Sequence, residues 1–485
     1  MRANPVPLMA AFALLAACGG SELTGGGSEP TGAPGPQGSP PAQQIRVDGG
    51  VRHQTIDGWA THLRMWEEDK AGDRYERSIE TYADQVYQFL VDSVGINSVR
   101  LEIPSGMENP SNRWKEFREG RMSYSTWQKT RFEKINDNGD PNAVNSSGFI
   151  FDNLDFRVEL MLAPLRRALE ARGEKLHVNV NYTDFQSDAT IVQGSLSHAN
   201  DPAEFAEFVH ASFVRLRDRY GIVPDAFEVI LEPDNTAGWR AANIGRGLIA
   251  ATDRLRASGF TPEVIAPSNS TMDGAISYFD QMMAVPGVAS RVGSFAYHRY
   301  GTERSSDVAT IRARAQAAGL KTAMLEKVDA GIDVLLEDLT VGNVSAWQQW
   351  AAASSTKTSD NGAYYARVDL SNSTKRVGMA KHSDQLAQVF RFVRRGAVRV
   401  EATSNGGDKQ SVAFINRDGR YVVVVRTRGA VGEFGVLGLP AGRYAQRFVS
   451  DDRRTESMDP VEIPPNGFVR ANVEQAGVLT IYGVP

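Results

Sequence analysis

The stretch DPAEFAEFVHASFVRLRDRYGIVPDAFEVILEPDN, residues 201–235, holds a complete helix-to-strand unit. Asp201 is a candidate N-cap with Pro202 at the first helical position, an amphipathic pattern follows, and Gly221 is a candidate C-cap. Past the glycine, FEVILE is an apolar strand pattern that ends on a carboxylate, Glu232.

The unit recurs. SIETYADQVYQFLVDSVGINSVRLEIP, residues 78–104, sets Ile79, Tyr82, Val86 and Phe89 near helical spacing, stops at Gly95 and continues as a strand toward Arg100. Residues 244–269 and 307–327 repeat the plan, with Gly259 and Gly319 ending the helices. Strand patterns centre near Ile56, Val99, Val178, Val229, Ile265, Phe295, Ala323 and Ala346. Strands alternating with helices indicate parallel βα units, and eight of them predict an α/β fold, a (β/α)8 TIM barrel, over residues 45–395. A doubly wound open sheet is the runner-up, but no glycine-rich phosphate loop follows the first strand.

Beyond Gly396 the texture changes to β-branched, alternating runs broken by Asn-Gly-Gly and Arg-Asp-Gly turn signals. A C-terminal β-sandwich is expected over 396–485, with the strand that opens the folded region a candidate to join its sheet. At the other end, MRANPVPLMAAFALLAACGG has the plan of a secretory signal peptide over residues 1–17. The chain's single cysteine, Cys18, falls on LAAC, which resembles a bacterial lipobox. The expectation is an exported protein, lipid-anchored to the bacterial cell envelope through Cys18, with Gly19 leaning it toward the outer membrane. Residues 18–44, rich in glycine and proline, read as a flexible tether.

A formal charge of -5 with scattered lysines and arginines gives no footprint for a polyanion, which argues against a nucleic-acid partner. The seven histidines are dispersed, none paired at metal-ligand spacing with an acidic third ligand, so no metal or other cofactor is expected.

Barrel enzymes carry their working groups at the C-terminal ends of the strands. Here those ends read Arg100, Asn181 with Tyr182, Glu232, Asn269, His298 with Tyr300, Glu326, and Trp347 with Trp350. Two glutamates close apolar strands, Glu232 and Glu326, on the fourth and seventh candidate strands. A facing pair of carboxylates suits retaining cleavage of a glycosidic bond, with burial and mutual repulsion expected to keep the acid protonated near neutral pH. The plainer alternative is that each glutamate pairs with a neighbouring cation, as Lys327 stands beside Glu326.

These strings resemble clan A glycoside hydrolases, most closely glycoside hydrolase family 30. QTIDGW looks like the first barrel strand, FEVILEP the fourth, FAYHRY the sixth, TAMLE the seventh and VSAWQQW the eighth, while VFRFVRRGAVRVEAT and VAFINRDGRYVVVV are similar to the family's passage into its sandwich. The resemblance implies a retaining glycosidase acting on β-linked glycans, with Glu232 as acid/base and Glu326 as nucleophile. It further implies that Arg100 and Tyr300 hydrogen-bond the nucleophile and that His298 and Trp347 line the sugar subsite; Asn181 stands with them as a candidate substrate contact. The sequence departs from the clan at Leu231, where an asparagine that contacts the sugar's 2-hydroxyl is usual, and Asn235 is the candidate substitute. That departure motivates the alternative of a non-catalytic glycan-binding surface lipoprotein. A cell-wall structural lipoprotein with a closed barrel mouth is a third reading.

The insert from Ser105 to Asp155 carries Trp114, Tyr124 and Trp127, readable as distal sugar subsites or as a small core of its own. Within it DNGDPN, residues 137–142, is similar to part of a calcium loop but lacks the closing glutamate of an EF-hand.

Overall fold

The structure, a computed structural model, describes residues 37–63, 80–185 and 196–485. The expected signal peptide, Cys18, most of the tether and Ile79 lie outside the described residues.

The chain enters through β1 (Gln44–Thr55) and then lays down eight parallel strands: β2 (Gly58–His62), β3 (Ser98–Pro104), β4 (His177–Thr183), β5 (Ala226–Glu228), β6 (Glu263–Thr271), β7 (Val292–Tyr300), β8 (Lys321–Glu326) and β9 (Val344–Ser355). Each pairs with its successor, and β9 pairs with both β8 and β2, which closes the (β/α)8 barrel. Helices follow the strands on the outside. The far half of β9 leaves the barrel to pair with β10 (Tyr364–Val368), itself bordered by β11 (Val377–Met379).

Local chemistry sets the boundaries as expected for the helix of residues 202–220: Asp201 accepts hydrogen bonds from the Ala203 and Glu204 amides, and Gly221 ends it in the left-handed region. Gly95 ends its helix at φ 99°, and a Cβ there would come within 2.5 Å of the Phe390 and Arg391 backbone, so the position demands glycine twice over.

Two boundaries differ from expectation. The first barrel strand starts at Gly58, because Gln44–Thr55 pairs antiparallel with β12 (Val398–Ser404) and parallel with Gly432–Leu437 in the sandwich sheet. The barrel therefore does not begin at residue 45. With seven further strands between Lys409 and Gly483, β1 and β12 make a nine-stranded sheet. Strand β5 is also shorter than FEVILE. From Val229 on, the backbone makes single hydrogen bonds to both neighbours, Leu231 N to Tyr182 O at 3.0 Å and Glu232 N to Ser268 O at 3.0 Å, as it bends out of the sheet.

Most apolar side chains pack between barrel and helices, and a second cluster fills the sandwich. The barrel interior has a different filling. At its floor sit small residues, Ala226, Ala296, Ala323 and Ala346 with Ile265 and Leu325. Because side chains alternate along a strand, the next inward positions are Glu228, His298 and Gln348, all fully buried. A polar layer on a small-residue floor is costly unless its members satisfy one another, and that layer carries the site.

Candidate active site

Glu232 and Glu326 meet at the barrel mouth. One ligating atom from each of Glu232, His298 and Glu326 lies within 4.8 Å of the other two. Glu232 holds its place through an uncommon backbone conformation, φ 47° and ψ 64°. A non-glycine residue in this region is strained, on the order of 1–3 kcal/mol, and persists only where its surroundings fix it. The surroundings here are the amide bond to Ser268, the Thr236 hydroxyl bonded to the Glu232 carbonyl at 3.0 Å, and Asp234, which accepts from the Ser270 amide and hydroxyl.

The two carboxylates are held differently. Glu326 Oε2 accepts from Arg100 Nη2, and Oε1 accepts from the Tyr300 hydroxyl at 3.0 Å. Arg100 is itself buried, with Glu228 Oε1 3.9 Å from Nη1. Burial works against its charge, but Glu326 and Glu228 outweigh that and raise its pKa. Glu232 Oε1 instead faces His298 Nδ1 at 2.9 Å, and Oε2 accepts from the Asn235 amide at 2.9 Å.

Burial alone pushes Glu232 up, yet the hydrogen bond and charge of His298, with Asn235 and Arg100, outweigh it and hold the carboxyl below its usual range. The expectation of a carboxyl kept protonated by burial and repulsion is thereby corrected: its hydrogen bonds favour the charged form. The same bond raises His298 against the opposing effects of burial and Arg100.

A cleft of about 390 Å³ opens above the pair, lined by His62, Phe185, Leu231, Ser270, Val328 and Trp350 together with the acids, Arg100, Asn235 and Tyr300. Leu231 faces the cleft where the clan's asparagine is usual, and the Asn235 amide is engaged with Glu232 rather than free for a ligand.

Two expected substrate contacts are elsewhere. Trp347 is fully buried, points outward to the helix layer, donates from Nε1 to Asp338 Oδ2 at 2.9 Å and packs against Phe390. Trp350, on the same face of β9 as Ala346 and Gln348 by simple alternation, faces the cleft instead. Asn181, fully buried, pairs in the sheet with Glu102 and Glu228 and is not among the residues that line the cleft. Trp114, Tyr124 and Trp127 are nearly buried against one another and Phe117 and are continuous with the main core, so the insert's aromatics are packing residues rather than exposed sugar platforms.

Sequence reading missed Glu228, Glu102 and His62. Glu102 bonds His62 at 2.7 Å and Arg157 at 3.0 Å. Glu102 follows Arg100 by two residues on one strand, so alternation places it on the same face, a signal that was available. The donor atoms of Glu232, His298 and Glu326 are close enough to hold a metal ion, although Arg100, His298, Asn235 and Tyr300 already engage all four carboxylate oxygens.

A family model, the glycosyl hydrolase family 30 β-sandwich domain, matches residues 396–430. No curated protein sequence matches the chain. Among solved structures, a family 30 endoxylanase from Clostridium papyrosolvens C71 superposes with a TM-score of 0.63 at 17% identity, covering 91% of this chain and 100% of that one. The catalytic domain of xylanase C from Talaromyces cellulolyticus gives 0.63 at 15%, covering 91% and 100%, and the endo-β1,6-glucanase BT3312 gives 0.61 at 14%, covering 92% and 94%. The resemblance to glycoside hydrolase family 30 is thus shown in the sandwich by the family model, and the barrel-plus-sandwich architecture is shared along nearly the whole chain.

Proposed function

We propose that the protein is a retaining glycoside hydrolase acting on β-linked glycans. The observation that carries the reading is the pair of carboxylates brought within 4.8 Å at the mouth of the barrel. Retaining enzymes hold the two about 5–5.5 Å apart, whereas inverting ones need about 6.5–9.5 Å to admit a water. Fold likeness to two xylanases and a β1,6-glucanase agrees with a β-linked polysaccharide as substrate.

Glu326 is the nucleophile. Arg100 and the Tyr300 hydroxyl hold its two carboxylate oxygens in place, and its attack on the anomeric carbon expels the leaving oxygen as a covalent glycosyl-enzyme forms. Glu232 protonates that oxygen and then takes a proton from the water that releases the sugar. Its proton is held on the Glu232–His298 pair. Sugar binding expels water and leaves the Glu326 charge as the close neighbour, which drives the proton onto the carboxyl. Trp350 and Phe185 offer the aromatic faces of the cleft. Export and lipid anchoring at Cys18 belong to the same proposal, supported by LAAC and the apolar run before it; Cys18→Ala then leaves the protein in the soluble fraction, and membrane retention of that variant contradicts the anchor.

The test is turnover of aryl β-glycosides and a panel of β-linked polysaccharides. Glu326→Gln abolishes turnover, and Glu232→Gln lowers kcat on unactivated glycans by about 10²–10⁴-fold but less on aryl glycosides whose leaving group needs no proton. Leu231 in the clan's asparagine position favours a second reading, a glycan-binding protein without turnover. Saturable binding across the panel with no hydrolysis, unchanged in Glu326→Gln, selects it.

A further inference from the structure

Asp137, the first residue of DNGDPN, finds its acidic partners outside its own loop. One carboxylate oxygen of each of Glu108, Asp137 and Glu204 lies within 4.8 Å of the other two. Glu108 follows β3 and Asp137 sits in the insert, whereas Glu204 lies in the first turn of the helix of residues 202–220, and Glu207 is one turn further along.

Several of these oxygens have no donor. Both oxygens of Glu207, Oε2 of Glu204 and Oδ1 of Asp137 are buried and make no hydrogen bond, although Glu207 is only 1% exposed and Glu204 5%. The nearby cations are few: Arg254 stands 3.9 Å from Glu207, and Lys134 is bonded to Asp184 at 2.6 Å.

We propose that Glu108, Asp137 and Glu204, with Glu207 beside them, bind a calcium-class divalent cation that ties the insert to the helix of residues 202–220. The donors are all carboxylate oxygens, which suit a hard cation. Calcium accepts carboxylate oxygens in flexible arrangements, whereas magnesium demands near-ideal octahedral geometry and keeps several waters, so a set of protein carboxylates suits calcium better. Four carboxylates confined with so little compensating charge repel one another. A divalent ion offsets that repulsion. His198 supports the set from behind, with Nε2 2.8 Å from Glu108 Oε2 and Nδ1 2.7 Å from the Tyr182 hydroxyl, fixing the carboxylate as an outer-shell partner does. The consequence reaches the cleft, because Phe132 of the insert packs on Phe185 and Ser105 bonds Asp184.

The test strips the full chain with chelator, dialyses it against calcium chloride, and measures bound metal by mass spectrometry alongside the thermal midpoint. The wild type is expected to retain one calcium per chain and to gain about 3 °C at calcium near a hundred times its Kd. Asp137→Asn and Glu207→Gln are expected to lose both effects. Asp137 is partly exposed in a loop, so that variant stays informative if the helix variant fails to fold. The proposal is overturned if the stripped wild type takes up no calcium and its midpoint does not move, with Glu207→Gln more stable than wild type at every calcium level; the acids would then simply share protons. Retention of magnesium with no uptake of calcium overturns it equally.

Discussion

His298 is the residue on which the chemistry of Glu232 turns. It lowers the carboxyl's pKa by hydrogen bond and charge while Arg100, Glu326 and Asn235 press on the same pair from the other strands. Under the proposed mechanism Glu232 must be protonated to act, so activity falls as pH rises through its lowered pKa, and the optimum is acidic. His298→Leu removes the donor and leaves the desolvation, which raises that pKa; the alkaline limb of the kcat/KM profile moves to higher pH. A variant whose rate falls with the limb unmoved assigns His298 a structural role only. Arg100 gives the complementary case. Replacing it by methionine leaves Glu326 and Glu228 without their guanidinium, and urea titration is expected to show a loss of about 3–5 kcal/mol.

At the scale of elements, the strands explain both what the sequence disclosed and what it hid. A glutamate after an apolar run is visible in FEVILE and TAMLE, and both acids reach the barrel mouth, Glu326 from the end of its strand and Glu232 from the bend that follows β5. Trp347 and Trp350 stand three apart in VSAWQQW, so alternation puts them on opposite faces, and the inward Ala346 and Gln348 assign Trp350 to the cleft, a distinction the sequence already held. The assignment predicts opposite phenotypes: Trp350→Ala raises KM with little change in thermal midpoint, whereas Trp347→Phe leaves KM alone and costs about 1–2 kcal/mol by removing a donor from buried Asp338. Asn181 was misplaced for another reason. Alternation gives the face of a strand but not the height of a side chain in the barrel, and the small-residue floor under Glu228 sets that height. The acids at 108, 137 and 204 were illegible because three separate segments supply them.

Across the whole molecule the chain starts in the sandwich, builds the barrel and returns. Strand β1 thus makes the sandwich depend on residues from both ends of the barrel. The two halves are also bolted together: Arg394, at the passage between them, bonds Glu174 at 2.7 Å and the Gly95 and Phe390 carbonyls, and Thr480 of the sandwich donates to the Gln388 carbonyl at 2.7 Å. A single calorimetric transition with matching calorimetric and van't Hoff enthalpies is expected, and two resolved transitions contradict this coupling. The turn chemistry beyond Gly396 made the sandwich legible and the strand that opens the folded region was a candidate for its sheet, as β1 proves to be; which strands it pairs with, more than three hundred residues away, lies beyond the reach of local pattern.

The central claim is that two glutamates meet across the barrel mouth to break a glycosidic bond with retention. Its most direct test follows hydrolysis of a β-linked substrate by proton NMR from the first seconds, before the sugar mutarotates. The account predicts that the β anomer appears first and that Glu326→Gln yields no product. First appearance of the α anomer, or product formation undiminished in that variant, contradicts it.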